Sequence, residues 1–376
     1  MLRGWEQHAR DSDPGGAPAP PGPFVERVND RLRQARLGAQ LLHQPRDRSA
    51  ADVVRHLTGV QAQMLPAAEL GLHVRSGGLT RARIERARLR DHSIVRTWAM
   101  RGTLHLIPSD DHGWLVPLLA EPGIANAQRR LAQEGVSPSQ SDRAVPLIGR
   151  MLAEHGPMTR REIAERLARR RIPVQGQAIA HLVWMAAATG AIVYGPDRDG
   201  DACFVGTRDW LGAPRPPRDR DEALRELAIR YLRAHGPAAP PDLAVWSGLG
   251  ARDTKRAWSS IADRLVPFPC APDAAWTLRG ARIAEPGNVV RLLPAFDEYL
   301  LGWRDRSFAL ASGRAGSVNR GGGMIRPVLI VDGRVEATWR TVDERPQLEP
   351  FEPLTPSTRR RVAAESTDVE RFLARS

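Results

Sequence analysis

Two neutral amides one residue apart, Gln61 and Gln63, stand in the run HLTGVQAQMLPAAELGLHVR over residues 56–75. In extended chain, side chains at i and i+2 point the same way, so VQAQM would aim both amides at one point. Neither glutamine is a general base. A glutamine carbonyl can nevertheless hold a water or face a developing positive charge, and its amine can anchor a second contact. The bland reading is hydrogen bonding at a helix end. The acidic pairs offer less. Asp110, Asp111 and His112 in PSDDHGW invite a metal-site reading, but Ser109 reads as an N-cap and acids suit the first helical turn. Asp297 and Glu298 in AFDEYLLGW are adjacent and diverge in direction, so they form no ready acid–base couple. HExxH, GxSxG, Walker and cysteine-cluster motifs are absent. Cys203 and Cys270 are the only cysteines and fit no metal or redox spacing. No metal and no cofactor is expected.

The charge balance names a partner class. Lys+Arg is 55 against 43 Asp+Glu, a formal charge of +12, with a pI near 11.0. Lys255 is the one lysine; every other basic residue is arginine, whose forked guanidinium suits phosphate. Such an excess serves a polyanion, and double-stranded DNA is the expected partner. Apolar residues make up 42%, and no run approaches the ~20 apolar residues of a membrane helix. Residues 1–24 are rich in Pro, Gly and Ala and lack an apolar signal core, so a disordered tail is expected. A monomer in a reducing cytoplasm, associated with the nucleoid, is the expected setting.

The elements that must position the glutamines recur along the chain. Helical periodicity covers about 25–42, with short helices near 51–59 and 67–75 flanking the pair, and another at 80–89 capped by Thr80. SIVRTWA and TLHLIP then read as strands joined through Met100-Arg101-Gly102. Helices followed by a hairpin outline a winged helix. The pattern repeats over 141–212, where Thr159 and Glu162 form a capping box and the hairpin tip is Asp197–Asp201. It repeats again over 219–280, and LAEHGPMT and LRAHGPAA mark the same point of both units, an internal duplication. Residues 25–140 form an N-terminal helical, winged-helix domain, in which 80–107 reads as a more diverged third copy. Residues 287–376 differ: an apolar strand, a hairpin turning at Asp332-Gly333, and a basic terminal helix suggest a small β-barrel. A Gly-rich basic loop, Arg314–Arg326, could follow phosphates through its backbone N–H groups.

Four stretches, VQAQMLPAAELGLHVR, IVRTWAMRGTLHLIPSDD, LLPAFDEYLLGWRDR and RPVLIVDGRVEATWR, resemble the AlkZ-like branch of the winged-helix DNA glycosylases that unhook interstrand crosslinks. The resemblance spans about 25–370. It implies an α+β, mainly α fold: three tandem winged helices and a C-terminal β-barrel, C-shaped around a basic DNA channel. It implies a catalytic Gln-x-Gln, here Gln61 and Gln63, and a substrate class of bulky purines alkylated at N7 or N3. It further implies self-resistance to a DNA-alkylating natural product. Such bases leave without strong acid assistance, so holding a water against an oxocarbenium-like sugar suffices. With one lysine far in sequence from Gln61, hydrolysis without strand cleavage is expected. Expected DNA contacts are Arg96, Arg101 and His105 in the first hairpin and Asn319, Arg320 and Arg326 in the Gly-rich loop. The alternative is a non-enzymatic winged-helix regulator; if the glutamines are structural, His105 or Asp297 is the next place to look.

Overall fold

The computed structural model describes residues 23–212, 218–269, 275–282, 287–321 and 323–374, with side chains from residue 29 onward. The expected tail before Pro23, Cys270 and Gly322 lie outside the described residues.

The first block opens with α1 (Pro23–Ala39) and α2 (Ala50–Leu57). Ser49 caps α2 in a reciprocal capping box with Asp52. Strand β1 (Val60–Gln61) leads to α3 (Leu65–His73), and α4 (Arg81–Leu89) is capped by Thr80, as its sequence suggests. Strands β2 (Ile94–Trp98) and β3 (Leu104–Pro108) follow, joined by a tight 3-10 turn at Met100–Gly102. Helix α5 (His112–Gln133) then crosses to the second block: α6 (Pro138–His155), β4 (Met158–Thr159), α7 (Arg160–Arg169), α8 (Ala178–Ala188), β5 (Ile192–Tyr194), β6 (Cys203–Gly206) and α9 (Thr207–Leu211). Ser109 does not cap α5: a 3-10 turn, Ser109–Asp111, runs straight into the helix. Both hairpins share one antiparallel sheet in the order β1-β3-β2-β5-β6-β4, joined where Arg96 of β2 faces Tyr194 of β5.

The third block has α10 (Arg220–His235), α11 (Pro240–Ser247), α12 (Ala251–Ser259) and the pair β7 (Leu265–Pro267) and β8 (Trp276–Leu278). The last has β9 (Val290–Leu293), α13 (Glu298–Leu301), α14 (Ala315–Val318), β10 (Val328–Val331), β11 (Arg334–Val342), β12 (Arg345–Pro350) and α15 (Pro356–Ala374). Asp332 and Gly333 take φ of 49° and 82°, the left-handed values that a type I′ turn demands. The expected barrel is not formed. The sheet β12-β11-β10-β9 is open and has only four strands, too few to close, and α15 covers it along β9 and β12. The extra strand β12 was not anticipated: RPQLEP is polar, proline-bearing and mostly exposed, as an edge strand tolerates.

One junction recurs three times among the described residues. A short extended segment before a helix joins the following hairpin: β1 on β3 before α3, β4 on β6 before α7, and Ala238 bridged to Trp276 of β8 before α11. The second and third junctions pass almost directly into their helices, with Glu162 and Asp242 accepting the backbone N–H groups of Thr159 and Ala239. The first is longer. Ala62, Gln63 and Met64 separate β1 from α3, and the N-cap position, Met64, has no side-chain cap bond.

Candidate active site at the first strand–helix junction

Gln61 ends β1 opposite His105 of β3 and is buried, whereas Gln63 lies in the bend beyond the strand and is exposed. The expected equal aim of the two amides therefore fails, because the strand stops at Gln61 and the i, i+2 rule holds only within extended chain. Ala62 between them is fully buried. Its N–H donates to the Leu104 carbonyl at 2.7 Å, and its own carbonyl accepts from Arg96 Nε at 3.2 Å. Arg96 lies over the Tyr194 ring at 4.9 Å, so the second hairpin braces the junction too.

Gln61 is held by a closed ring of hydrogen bonds. Its backbone N–H donates to Glu298 Oε1 at 2.9 Å, and its side-chain Oε1 accepts from Arg101 Nη2 at 2.7 Å. Arg101 Nη1 donates to the Trp246 carbonyl, and the Trp246 indole donates to Glu298 Oε2 at 3.3 Å. The members come from β1, the β2–β3 turn, α11 and α13, so three blocks of the chain meet at one glutamine. Arg101 has φ 57°, left-handed for a residue with a side chain, at a cost of about 1–2 kcal/mol. Its docking explains why the strain persists. Gly248, ending α11 at φ 82°, comes so close that a Cβ there would sit 3.0 Å from the Arg101 Cα.

Burial sets the local charges. It lowers the Arg101 pKa, with Glu298 partly offsetting the effect. It raises that of Glu298, against the pull of Arg101 and the Gln61 N–H. His235, at the end of α10, has its Nε2 4.0 Å from Glu298 Oε2 and is depressed to about 3 by burial, so it is neutral. His105 is likewise pushed down to about 3 by burial and by Arg101, and its Nδ1 is bonded to the Thr103 carbonyl at 2.9 Å.

These placements sort the residues read from the sequence. The junction brings Gln61, Gln63, Arg96 and Arg101 together. Arg101 is engaged inside the protein, with both terminal nitrogens on protein acceptors. His105 is fully buried and has no surface to offer DNA or a substrate. Asp297 is not a reserve acid: both its oxygens bond Arg75 at 2.8 Å in a buried pair, and it caps α13 through the Tyr299 N–H. Asp111 is structural as well, accepting from Trp114 Nε1 and paired with Arg230. In the Gly-rich loop, an Asn319–Ile325 bridge closes the base, while Asn319 and Arg320 are exposed. Arg326 is tied to Glu349 at 2.7 Å and to the Ser317 carbonyl, so it anchors the loop. The loop lies near the site: Phe296 donates to the Ile325 carbonyl at 3.3 Å, two residues before Glu298. Sequence reasoning missed Glu298 and Trp246. The one available signal was a pair of acids inside the apolar run LLPAFDEYLLGW, where buried carboxylates need partners.

Residues 54–372 match the family model described as "DNA glycosylase AlkZ-like". The chain is 31% identical over 338 residues to an interstrand DNA cross-link repair glycosylase of Streptomyces sahachiroi, covering 84% of this chain and 88% of that one. It is also similar to the solved structure of the S. sahachiroi DNA glycosylase AlkZ, with a TM-score of 0.81 at 28% identity over 92% of this chain and 96% of that one. A match over most of the length, in sequence and in fold, places this chain in the AlkZ-like family of DNA glycosylases, enzymes that act on DNA.

Proposed function

We propose that this glycosylase hydrolyses the N-glycosidic bond of bulky N7- or N3-alkylated purines in double-stranded DNA, interstrand crosslinks included. In its producer it would give self-resistance to a DNA-alkylating natural product. The single observation that carries the reading is the junction itself: a buried Gln61 fixed at backbone and side chain, with an exposed Gln63 two residues on. Gln63 is the group free to hold the attacking water and face the sugar cation. Gln61 fixes the backbone from which Gln63 projects. An alkylated purine is already cationic and leaves readily, so an amide that orients water is enough, and undamaged neutral bases are spared.

The three helix-and-hairpin units are read as winged helices lining a basic channel, with Arg320 on the exposed loop as a phosphate contact. That the relative is an interstrand DNA cross-link repair glycosylase supports including crosslinks. Lys255, the one lysine, lies exposed on α12 rather than at the junction, which supports hydrolysis without a Schiff base. Family membership gives a non-enzymatic regulator no support. The test is release of free base from N7-methylguanine duplex, scored as abasic sites without heating. Release without strand breaks is expected; intact DNA at enzyme excess would refute the reading. Binding to the same duplex should weaken steeply with salt, about one unit of log–log slope per phosphate neutralised.

A further inference from the structure

Arg101 poses an electrostatic problem for the proposed reaction. Its guanidinium lies 2.7 Å from the side chain of Gln61, two residues along the chain from Gln63, the group proposed to face the positive charge developing on the sugar. In a buried setting, an uncompensated cation there opposes the transition state. One carboxylate belongs to the same ring of bonds: Glu298, on the Gln61 N–H and on Trp246. Apart from Arg306, the other charges around it cancel or are absent. Arg75 is spent on Asp297, and His235 is neutral. His105, beside Arg101, is neutral too. Arg306 also faces Arg101 electrostatically, and adds to the positive side.

Resting on the proposed glycosylase reading, we infer that Glu298 is a positioning residue that holds the Gln61 backbone and offsets the Arg101 charge, so that base excision requires its carboxylate ionised. Glu298 touches neither DNA nor water in this role; it acts through Gln61 and Arg101. Burial raises its pKa above the ordinary carboxylate range. Activity should therefore fall as the pH drops through that raised value, a limb that the two amides cannot themselves produce, since neither titrates.

The test follows single-turnover excision of N7-methylguanine from duplex DNA across acid to neutral pH, subtracting spontaneous loss, with thermal melting as a control. Glu298→Gln keeps shape and a carbonyl acceptor for the Gln61 N–H but removes the charge. Its rate should drop on the order of tenfold at neutral pH, the size of one charge at about 10 Å in an effective dielectric of about 20, and the acid limb should vanish. Trp246→Phe keeps the charge but removes a donor to it, so its limb should move to higher pH. A folded Glu298→Gln enzyme with the parent's rate and pH profile overturns the inference while leaving the glycosylase reading intact. If Glu298→Gln does not fold, a Trp246→Phe limb that stays put overturns it. A parent enzyme releasing no base overturns the glycosylase reading first.

Discussion

The first and second strand–helix junctions occupy the same place in their units and are built on opposite principles. At the second, β4 runs into α7 without a spacer, and Thr159 and Glu162 satisfy the helix end by themselves. At the first, three residues intervene, no side chain caps α3, and support comes from outside through Arg96, Arg101 and Glu298. A self-capped junction satisfies its helix end locally and presents little. An externally braced one projects a side chain, Gln63, from a backbone fixed by distant elements. Where local capping chemistry is set aside and rebuilt from a distance, strand-and-helix logic has given way to function.

The sharpest way to break this comparison is Gln63→Ala. If the braced junction exists to present that amide, excision should slow about 10²–10³-fold, the cost of losing one preorganised polar group at a developing charge. Melting should move little, because Gln63 is exposed and caps nothing. Gln63→Asp should keep part of the activity, since it retains an oxygen acceptor for water, whereas Gln63→Leu should not. Excision by Gln63→Ala at the parent's rate would make the long junction a structural accident.

Gln61→Ala separates bracing from presentation. The main-chain N–H survives, so the bond to Glu298 remains, but the buried Arg101 loses an acceptor. Hydrogen bonds to charged groups contribute about 1.5–3 kcal/mol. Thermal or denaturant unfolding should therefore show destabilisation of that order together with slower excision. The two alanine variants should therefore not behave alike, because Gln61 is buried and Gln63 is exposed. Matching unfolding midpoints for the two alanine variants would contradict the asymmetry.

Much of this was legible in the sequence, for stated reasons. Thr80 and the Thr159–Glu162 box, the Asp332-Gly333 turn and the strands at 94–98 and 104–108 are local signals, and each appears where its chemistry places it. The Gln-x-Gln pair stands out because two neutral amides sit one residue apart between an apolar stretch and a helix-like one. What could not be read is long range. Glu298 lies 237 residues from Gln61, and nothing local in AFDEYLLGW distinguishes the acid that pairs with Arg75 from the acid that holds Gln61. The duplicated phrases mislead here in an instructive way: His155 and His235 hold the same position, yet the first is exposed and the second is buried beside Glu298. The barrel expectation failed because two hairpin strands and a terminal helix do not show whether a sheet closes.

The smallest expected effect tests the other half of the comparison. Thr159→Ala removes the side chain that accepts the Glu162 N–H at 3.3 Å, while the main-chain bond from Thr159 to Glu162 at 2.8 Å can persist. Loss of such a cap costs roughly 0.5–2 kcal/mol, which in a chain of this length lowers the melting midpoint by a few degrees at most. Glu162 also pairs with Arg198 near the tip of the β5–β6 hairpin, so the loss should appear as loosening of that hairpin against α7. Hydrogen exchange at 197–201 and at the first turn of α7 would report it. Excision well below the melting midpoint should be unchanged. The β5–β6 hairpin reaches the candidate site through Tyr194 beneath Arg96. Tyr194 faces Phe204, the neighbour of the Cys203 that pairs with Thr159, but the ring contact itself uses neither the Thr159 side chain nor Glu162. Slowed excision in a fully folded Thr159→Ala enzyme would mean that the second junction also feeds the chemistry, and the division between self-capped support and braced presentation would not hold.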